Sequence, residues 1–375
     1  MGGLRAEDMT GTAPHIAIVN PFGIGDVLCS TPLIAAVRRA HPTARLLYVC
    51  NARAQDVLAA NPHLDRIVVF EKDEYRALWQ RSPWQAARRF AALVNSLRRE
   101  RLDLVIDCSL GDRYSAVFAL LGVRRRVGFD YRGRGRFQTH RLPVTGFDEK
   151  HVAEYYLDLL RLIGLAPGPG AYEFPLTEHE MAWAAEWRKR STVAGRPYLV
   201  VLPAGGASWG EQAVNRWWPA ERFAQVAERL AARHHLAVVL AGHGERELAL
   251  CQAVRRAMTS TPVNVAGALS LRQFAAVLGG AALALSNDGG PMHVLVSQRC
   301  PSVSIFGPVD PQVYGPYPAD ARHAVITRAL PCRPCYKRFQ MPPCPIDLDC
   351  LKGLEVDTVL QAAEAQLARF PVTLN

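Results

Sequence analysis

Leu285-Ser-Asn-Asp-Gly-Gly-Pro-Met-His293 follows directly on an apolar run at residues 281–285, which is typical of a buried parallel strand. Pro291 suits the first turn of a helix, where a missing N–H costs no hydrogen bond, so a helix is predicted at residues 292–298. The bare N–H groups and the dipole at such a junction favour an anion, and glycines let a phosphate approach the backbone. The stretch therefore predicts an α/β sheet with a phosphate site at its edge.

Asp288 is the unexpected member of this turn, because its carboxylate would repel a phosphate. It suits a ribose hydroxyl, or the orientation of nearby N–H groups. It equally suits the N-cap of the following helix in an ordinary strand–helix turn. Turn chemistry alone leaves these alternatives open.

Size and composition are those of a globular protein with two or three domains. The chain has 375 residues, of which 49% are hydrophobic and 21% charged, and a formal net charge of +10. No run approaches the 18 apolar residues that a membrane span needs. Residues 1–14 have no apolar core, so we expect a flexible N-terminal tail, no secretory signal and a cytoplasmic location.

The first half alternates short apolar strands with helices. Such alternation predicts a parallel sheet covered by helices on both faces, with its ligands beyond the carboxyl ends of the strands. The strands are predicted at residues 15–19, 45–50, 66–70, 104–108 and 126–129. The helices are predicted at residues 27–39, 54–60, 84–101, 115–121 and 151–163.

The turn after the first strand contains Gly23, Gly25 and Asp26. A dinucleotide fingerprint needs a third glycine at position 28, where the chain has Leu28, so an NAD-dependent oxidoreductase is disfavoured. Asp26 suits a helix N-cap, and it also suits a general base that takes a proton from an incoming hydroxyl. The position alone does not decide between the two roles.

A block of seven arginines lies between positions 124 and 141, with glycines at 128, 133 and 135. It predicts a flexible loop whose guanidinium groups contact phosphate or carboxylate. A solvated face, an anionic acceptor and inner-leaflet headgroups are all compatible with it. No nucleic-acid-binding module accompanies the block, so nucleic acid is not expected as a partner.

A stretch rich in proline and glycine, Gly164-Leu-Ala-Pro-Gly-Pro-Gly170, separates the first series from a second. The second series has predicted strands at residues 198–202, 236–241, 263–266, 281–285 and 302–306, the last of which should close the sheet. The sequence predicts two Rossmann-like domains that face a cleft. We place the tail at residues 1–14, the domains at 15–176 and 177–355, and a C-terminal segment at 356–375.

Four motifs, in this order along the chain, resemble those of glycosyltransferase family 9, the lipopolysaccharide heptosyltransferases and their relatives. They are Pro-Phe-Gly-Ile-Gly-Asp-Val (21–27), Pro-Ala-Gly-Gly-Ala-Ser with Arg-Trp-Trp-Pro (203–219), Asn-Asp-Gly-Gly-Pro-Met-His (287–293) and Phe-Gly-Pro-Val-Asp-Pro (306–311). The resemblance implies the GT-B architecture, with a C-terminal helix near 360–369 returning to the first domain. It also implies metal-independent, inverting transfer of a sugar, often heptose from ADP-heptose.

The resemblance assigns roles residue by residue. Asp26 matches the general base, and Arg216 stands where the family usually has a lysine that neutralises the departing diphosphate. Position 289, usually Ser or Thr, is glycine here, so one hydroxyl contact to the donor is absent. The expected donor-binding residues are Gly205, Gly206, Ser208, Arg216, Glu245, Asp288, Gly289, Gly290 and His293. For an anionic glycolipid or glycan acceptor at the inner membrane face, the expected binding residues are Gly25, Arg132, Arg134 and Arg136.

Nine cysteines occur, of which Cys29, Cys50, Cys108, Cys251 and Cys300 suit small buried side chains. The remaining four, Cys332, Cys335, Cys344 and Cys350, lie within 19 residues of one another. Their spacing suits either free thiols or a structural zinc site, and catalysis requires no cofactor. A non-catalytic GT-B relative that binds a nucleotide or glycan is the alternative function, and the presence of both Asp26 and Arg216 argues against it.

Overall fold

The computed structural model describes residues 13–205 and 207–371, without the side chains of residues 207 and 208. The chain divides into two compact units between Glu173 and Phe174. In the described part of the chain each unit contains one six-stranded sheet, in which every neighbouring pair is parallel. The expected tail lies almost wholly outside the described residues.

The sheet of the first unit has the strand order β3-β2-β1-β4-β5-β6. Its strands are β1 (His15–Val19), β2 (Arg45–Cys50), β3 (Arg66–Val69), β4 (Leu104–Asp107), β5 (Arg125–Tyr131) and β6 (His140–Val144). Its helices are α1 (Ile24–Cys29), α2 (Thr31–Ala40), α3 (Gln55–Leu58), α4 (Lys72–Arg81), α5 (Pro83–Arg99), α6 (Arg113–Leu120) and α7 (Val152–Arg161).

The second unit repeats this topology, with the order β12-β11-β10-β7-β8-β9. Its strands are β7 (Tyr198–Leu202), β8 (Ala237–Leu240), β9 (Val263–Asn264), β10 (Leu283–Asn287), β11 (Ser302–Phe306) and β12 (His323–Thr327). Its helices are α8 (Glu178–Arg190), α9 (Ala220–His234), α10 (Glu245–Ala257), α11 (Leu271–Gly279), α12 (Gly290–Ser297), α13 (Pro311–Tyr314), α14 (Asp349–Lys352) and α15 (Val356–Arg369).

The central strands are buried on both faces because helices cover the two sides of each sheet. β7, β10 and β11 have no exposed residue, which explains why apolar and small side chains predominate in them. The chain order of the strands reverses between β1 and β4 in the first unit, and between β7 and β10 in the second. In open α/β sheets, ligands bind beyond the carboxyl ends of the strands at this point.

Three elements differ from the sequence expectations. The arginine block is not one flexible loop: Arg125 and Arg126 lie in β5, Arg141 lies in β6, and residues 132–139 connect the two strands. β11 does not close its sheet, because β12 pairs with its outer side. α4 was not predicted, because it has no buried residue and therefore no apolar stripe.

The predicted C-terminal helix is α15. Its buried residues Val359, Leu360 and Ala363 belong to the hydrophobic core of the second unit, together with the fully buried Trp218. Its return to the first domain stays a prediction. No helix in the described ranges is both long enough and apolar enough to cross a bilayer.

Candidate active site

The loops that follow β7 and β10 are joined at the topological switch point of the second unit. The buried Asn287 accepts a hydrogen bond from the Trp218 amide (2.9 Å) and donates one to the Pro203 carbonyl (2.7 Å). The Trp217 indole donates to the Gly205 carbonyl (2.8 Å). Asn287 therefore fixes three segments, around residues 203, 217 and 288, in one arrangement.

Gly205 permits the closest of these approaches. A Cβ at this position would lie 2.8 Å from the carbonyl oxygen of Asp288, which is shorter than any normal contact. Glycine is needed at position 205 because there is no room for a side chain, and not because the backbone adopts a positive φ. Gly206 lies outside the described residues, and of Ser208 only the backbone is described, so the donor contacts expected of both stay predictions.

The glycine turn leads into α12 as the sequence predicts. Gly289 has φ +155° and forms the N-cap, and Pro291 lies in the first turn. The N-cap role considered for Asp288 is therefore wrong, because Asp288 precedes the cap. The amides of Gly289 and Gly290 donate to no described atom, so they remain able to bind an anion. His293 lies further along the same helix and is buried.

Arg216 and Asp288 form a buried side-on pair. The Nε of Arg216 donates a hydrogen bond to Oδ2 of Asp288 at 2.8 Å. Nη2 forms an ion pair with Oδ1 at 2.5 Å, and Oδ1 has no hydrogen-bond partner in the described part of the chain. The two side chains are 8% and 1% exposed. Within the described residues, Nη1 of Arg216 donates no hydrogen bond.

This pairing changes the interpretation of both residues. Asp288 directs its carboxylate at Arg216, and its expected contact with the donor stays a prediction. Burial raises the pKa of Asp288, and the guanidinium of Arg216 opposes that rise. Because the carboxylate balances its charge, Arg216 offers an oriented N–H donor more than a free positive charge.

Trp209 covers the guanidinium of Arg216, and the sequence analysis missed it. The guanidinium carbon lies 4.4 Å from the centroid of the indole, a cation–π contact that a planar cation makes well. Tyr336 packs on the indole at 4.5 Å between centroids, and Tyr314 contacts Tyr336 at 5.7 Å. These aromatic rings exclude water from one face of the Arg216–Asp288 pair.

Glu245 is the first residue of α10 and is exposed, so its expected contact with a nucleoside stays a prediction. Glu247 is the carboxylate that folds back onto the loop after β8, where it accepts a hydrogen bond from the His243 amide at 2.8 Å. Burial raises the pKa of Glu247. It fixes the loop that presents Glu245.

In the first unit, Asp26 is the third residue of α1. The N-cap of this helix is Gly23, which makes no side-chain cap bond, so the capping role of Asp26 is wrong. Gly25 precedes Asp26 in the same turn, and Tyr156 lies near enough for the charge of Asp26 to contribute to the rise of its pKa, whose main cause is burial. The partly buried carboxylate of Asp26 lies in the first turn of α1, where the helix dipole favours its ionised form, and its role as a general base stays a prediction.

Asp107 ends β4, the strand beside β1, and the sequence analysis did not single it out. Its side chain is fully buried and accepts hydrogen bonds from the Ser109 amide (2.9 Å) and from Nε2 of Gln138 (3.0 Å). Burial raises the pKa of Asp107 to about 7. The only signal in the sequence was an acidic residue at the end of an apolar run.

The expected acceptor-binding arginines lie in the turn after β5, at the carboxyl edge of the same sheet. Arg132 stacks on Tyr131 at 4.9 Å, and Arg136 pairs with Asp112 at 2.6 Å. The side chain of Arg134 has no partner in the described part of the chain. All three arginines are exposed, and their role in binding an acceptor stays a prediction.

The expected zinc site is not supported. Within residues 13–205 and 207–371, no group of three or more His, Cys, Asp or Glu could hold a metal ion. The thiol of Cys335 donates to the Cys332 carbonyl, and Cys344 accepts from the Leu348 amide. Cys350 packs in the core of the second unit, where burial raises its pKa to about 11 and disfavours the thiolate that binds metals. The five other cysteines are buried, as predicted.

A family model described as glycosyltransferase family 9 (heptosyltransferase) matches residues 90–343, which is more than half of the chain. The chain belongs to glycosyltransferase family 9. It is an enzyme of the transferase class. The matched residues include Arg216 and the glycine turn, whereas Asp26 precedes them.

Known proteins agree with this assignment along most of their length. This glycosyltransferase is 25% identical to lipopolysaccharide heptosyltransferase 1 of Pseudomonas aeruginosa, over 86% of each chain. A family 9 glycosyltransferase from Veillonella parvula has a similar structure, with a TM-score of 0.77, 24% identity and coverage of 96% of this chain and 99% of that one. The structure of Escherichia coli ADP-heptose lps heptosyltransferase II is also similar, with a TM-score of 0.74 and 20% identity, and the match covers 95% of this chain and 99% of that one. The fold is therefore GT-B, as the sequence predicts.

Proposed function

We propose that the protein is an inverting, metal-independent glycosyltransferase that transfers heptose from ADP-heptose to a lipopolysaccharide core or another surface glycan. The names of its relatives support the heptose, the lipopolysaccharide acceptor and the adenine nucleotide. The single structural observation that carries the proposal is the buried Arg216–Asp288 pair beside the glycine turn at the switch point of the second sheet.

The second unit receives the leaving diphosphate. The free amides of Gly289 and Gly290 and the Nη1 of Arg216 donate to its oxygens, and the dipole of α12 favours its negative charge. Asp288 pairs with the Nε and Nη2 edge of the Arg216 guanidinium, and Trp209 covers its face. These fixed N–H donors stabilise the charge that develops as the sugar–phosphate bond breaks, which is the role that a divalent metal would otherwise fill.

The first unit supplies the acceptor and the base. An acceptor hydroxyl attacks the anomeric carbon from the face opposite the diphosphate, a new C–O bond forms, and Asp26 takes the hydroxyl proton. A single displacement of this kind inverts the anomeric centre. Gly25 lies beside Asp26, and Arg132, Arg134 and Arg136 contact acidic groups of the acceptor. We place the reaction in the cytoplasm, at the inner face of the membrane that holds a glycolipid acceptor.

The donor is tested by measuring thermal shifts and transfer with ADP-, UDP- and GDP-linked sugars side by side. We expect ADP-heptose to stabilise the protein most and to be consumed in the presence of Kdo–lipid A. A larger stabilisation by a UDP- or GDP-linked sugar would overturn the donor assignment. Stabilisation without transfer to any acceptor would instead favour a binding protein.

The base is tested with Asp26→Asn. Asp73→Asn is the matched control, because Asp73 is also an acidic residue in the first turn of a helix. Asp26→Asn should lower kcat by a factor of about 10² to 10⁴, the usual contribution of a general base, and leave the affinity for ADP unchanged. A kcat equal to that of the control variant would show that Asp26 is not the base.

A further inference from the structure

The hairpin of α4 and α5 exposes aromatic side chains that the fold does not use. The exposed fraction is 58% for Trp79 and 78% for Trp84. Trp79 lies two residues before the end of α4, and Trp84 is the second residue of α5. Only Ser82 separates the two helices, so both indoles lie within one turn of the hairpin tip.

The hairpin is held in place by other aromatic side chains. Phe70 follows β3 and contacts Tyr75 of α4 at 4.8 Å and Phe90 of α5 at 6.5 Å between ring centroids. Phe70 also contacts Tyr114 at 5.9 Å. Since this cluster attaches the hairpin to the rest of the unit, Trp79 and Trp84 are not needed for that packing.

Helical geometry places Trp84 on the side of α5 that faces away from the unit. The buried residues of α5 are Ala86 and Leu97, which are eleven positions apart and share one face. Trp84 and Arg88 each lie two positions from Ala86, roughly 200° around the helix. An indole and a guanidinium therefore share the outward face.

This hairpin is also cationic. Residues 72–99 contain seven Lys and Arg against two Asp and Glu, a net charge of +5, which is half of the net +10 of the whole protein. One arginine, Arg89, pairs with Glu74 at 2.9 Å. In the described part of the chain, the remaining arginines of the hairpin have no acidic partner: Arg76, Arg81, Arg88, Arg98 and Arg99.

We infer that Trp79, Trp84, Arg76, Arg81 and Arg88, here named the tryptophan–arginine corner, dock the enzyme on an anionic lipid surface. Indoles prefer the boundary between headgroups and acyl chains, where the ring is buried and its N–H stays near water. Unpaired arginines are attracted to anionic headgroups, and a cationic helix with exposed Trp is typical of proteins that lie in this boundary. A second copy of the chain fits less well, because two such surfaces would repel each other.

The inference rests on the proposed glycolipid acceptor, which requires the enzyme to work at a membrane. The test uses the full-length protein and sucrose-loaded vesicles of phosphatidylcholine alone or with 30% phosphatidylglycerol. We expect sedimentation with the anionic vesicles only, weakened by high salt. Each arginine should contribute about fivefold, so the triple variant Arg76→Gln/Arg81→Gln/Arg88→Gln should bind about a hundredfold more weakly.

A second variant locates the contact. Trp79→Phe/Trp84→Phe keeps aromatic side chains at the corner, so vesicle binding should persist, while quenching of tryptophan fluorescence by brominated lipid should be lost. Leu120→Ser is the matched control, because Leu120 is 89% exposed in the same unit but lies outside the hairpin. It should bind vesicles like the wild type.

The inference is overturned if the wild type does not bind anionic vesicles, or if the arginine triple variant binds them as tightly as the wild type does. Two other results would also overturn it, because they would show that the corner binds a different partner. One is self-association that is lost in Trp79→Ser/Trp84→Ser, and the other is duplex DNA binding that is tighter than vesicle binding. ADP affinity is measured on the same variants and should not change. A failure of donor transfer with intact vesicle binding would count against the proposed function and leave the docking surface standing.

Discussion

The buried pair of Arg216 and Asp288 gives the most demanding test of the site, through a double-mutant cycle with Arg216→Ala, Asp288→Ala and both together. The side chains are 8% and 1% exposed, so solvent screens them little. Removing one partner of such a pair leaves an uncompensated buried charge and costs about 3–5 kcal/mol. For a unit of about 200 residues this corresponds to a fall in Tm of about 5–20 °C.

The double variant leaves no buried charge, so it should lose clearly less stability than the sum of the two single variants. Urea unfolding gives the three free energies, and a coupling energy of at least about 1 kcal/mol is expected for contacting residues. ADP affinity should fall in all three variants, because each one removes or releases the Nη1 donor of Arg216. Arg255→Ala, at an exposed position of α10, controls for loss of a positive charge from the same unit.

The two single variants should differ in their response to pH. Without Arg216, only burial acts on Asp288 and its pKa rises further, so the folded state keeps a proton that the unfolded state has lost. Stability of Arg216→Ala should therefore fall as the pH rises from 5 to 8. Asp288→Ala has no carboxyl group at this position and leaves a guanidinium that stays charged throughout, so the stability of this variant should not show that fall. Additive free energies, or equal pH responses of the two variants, would refute the existence of the pair.

Three further predictions concern neighbouring features. Burial raises the pKa of Asp107 to about 7, so the unfolded state loses its proton first and this residue lowers stability as pH rises from about 4 to 7. Urea unfolding at pH 5 and 8 should therefore show a smaller loss of stability for Asp107→Asn than for the wild type, by about 2–3 kcal/mol. Gly205→Ala should destabilise the second unit by about 1–3 kcal/mol and weaken ADP binding, since its Cβ would meet the Asp288 carbonyl; an unchanged Tm would show that the loop relaxes freely. Trp209→Leu should weaken ADP binding with little loss of stability, and calorimetry that finds wild-type affinity would remove Trp209 from the site.

The fold could be predicted from the sequence where strands are buried on both faces. β1, β2, β7 and β11 have the predicted bounds, because they are short, largely apolar segments that are followed directly by a polar, glycine or proline residue. The edge strands were harder to predict from the sequence. β6 alternates in exposure and contains Pro143, which is tolerated at an edge, and β12 is only partly buried. Such strands owe their existence to pairing with a neighbour rather than to their own composition.

The individual residues of the site could be predicted from the sequence, but the contacts between them could not. The glycine turn, Pro291 in the first helical turn, and Arg216 as a donor residue follow from local chemistry. That Arg216 and Asp288 contact one another does not, because they are 72 positions apart and each has a plausible role alone. Trp209 and Asp107 were missed for the same reason: only the folded chain shows what lies above the guanidinium and what surrounds the carboxylate.

The pair explains why arginine is suited to position 216, where the resemblance to family 9 leads one to expect lysine. A guanidinium reaches both oxygens of Asp288 with Nε and Nη2 and keeps Nη1 for a ligand, whereas an ammonium is a single point of charge. Its planar face also accepts the indole of Trp209, a contact that orients the third donor. Gly289 lacks the hydroxyl that the family usually has there, and under the proposed function a rigidly oriented Nη1 would compensate for that missing hydrogen-bond donor to the diphosphate. Arg216, Asp288 and Trp209 therefore form one arrangement, in which changing arginine to lysine would disturb the contacts with both oxygens of Asp288 and with the indole.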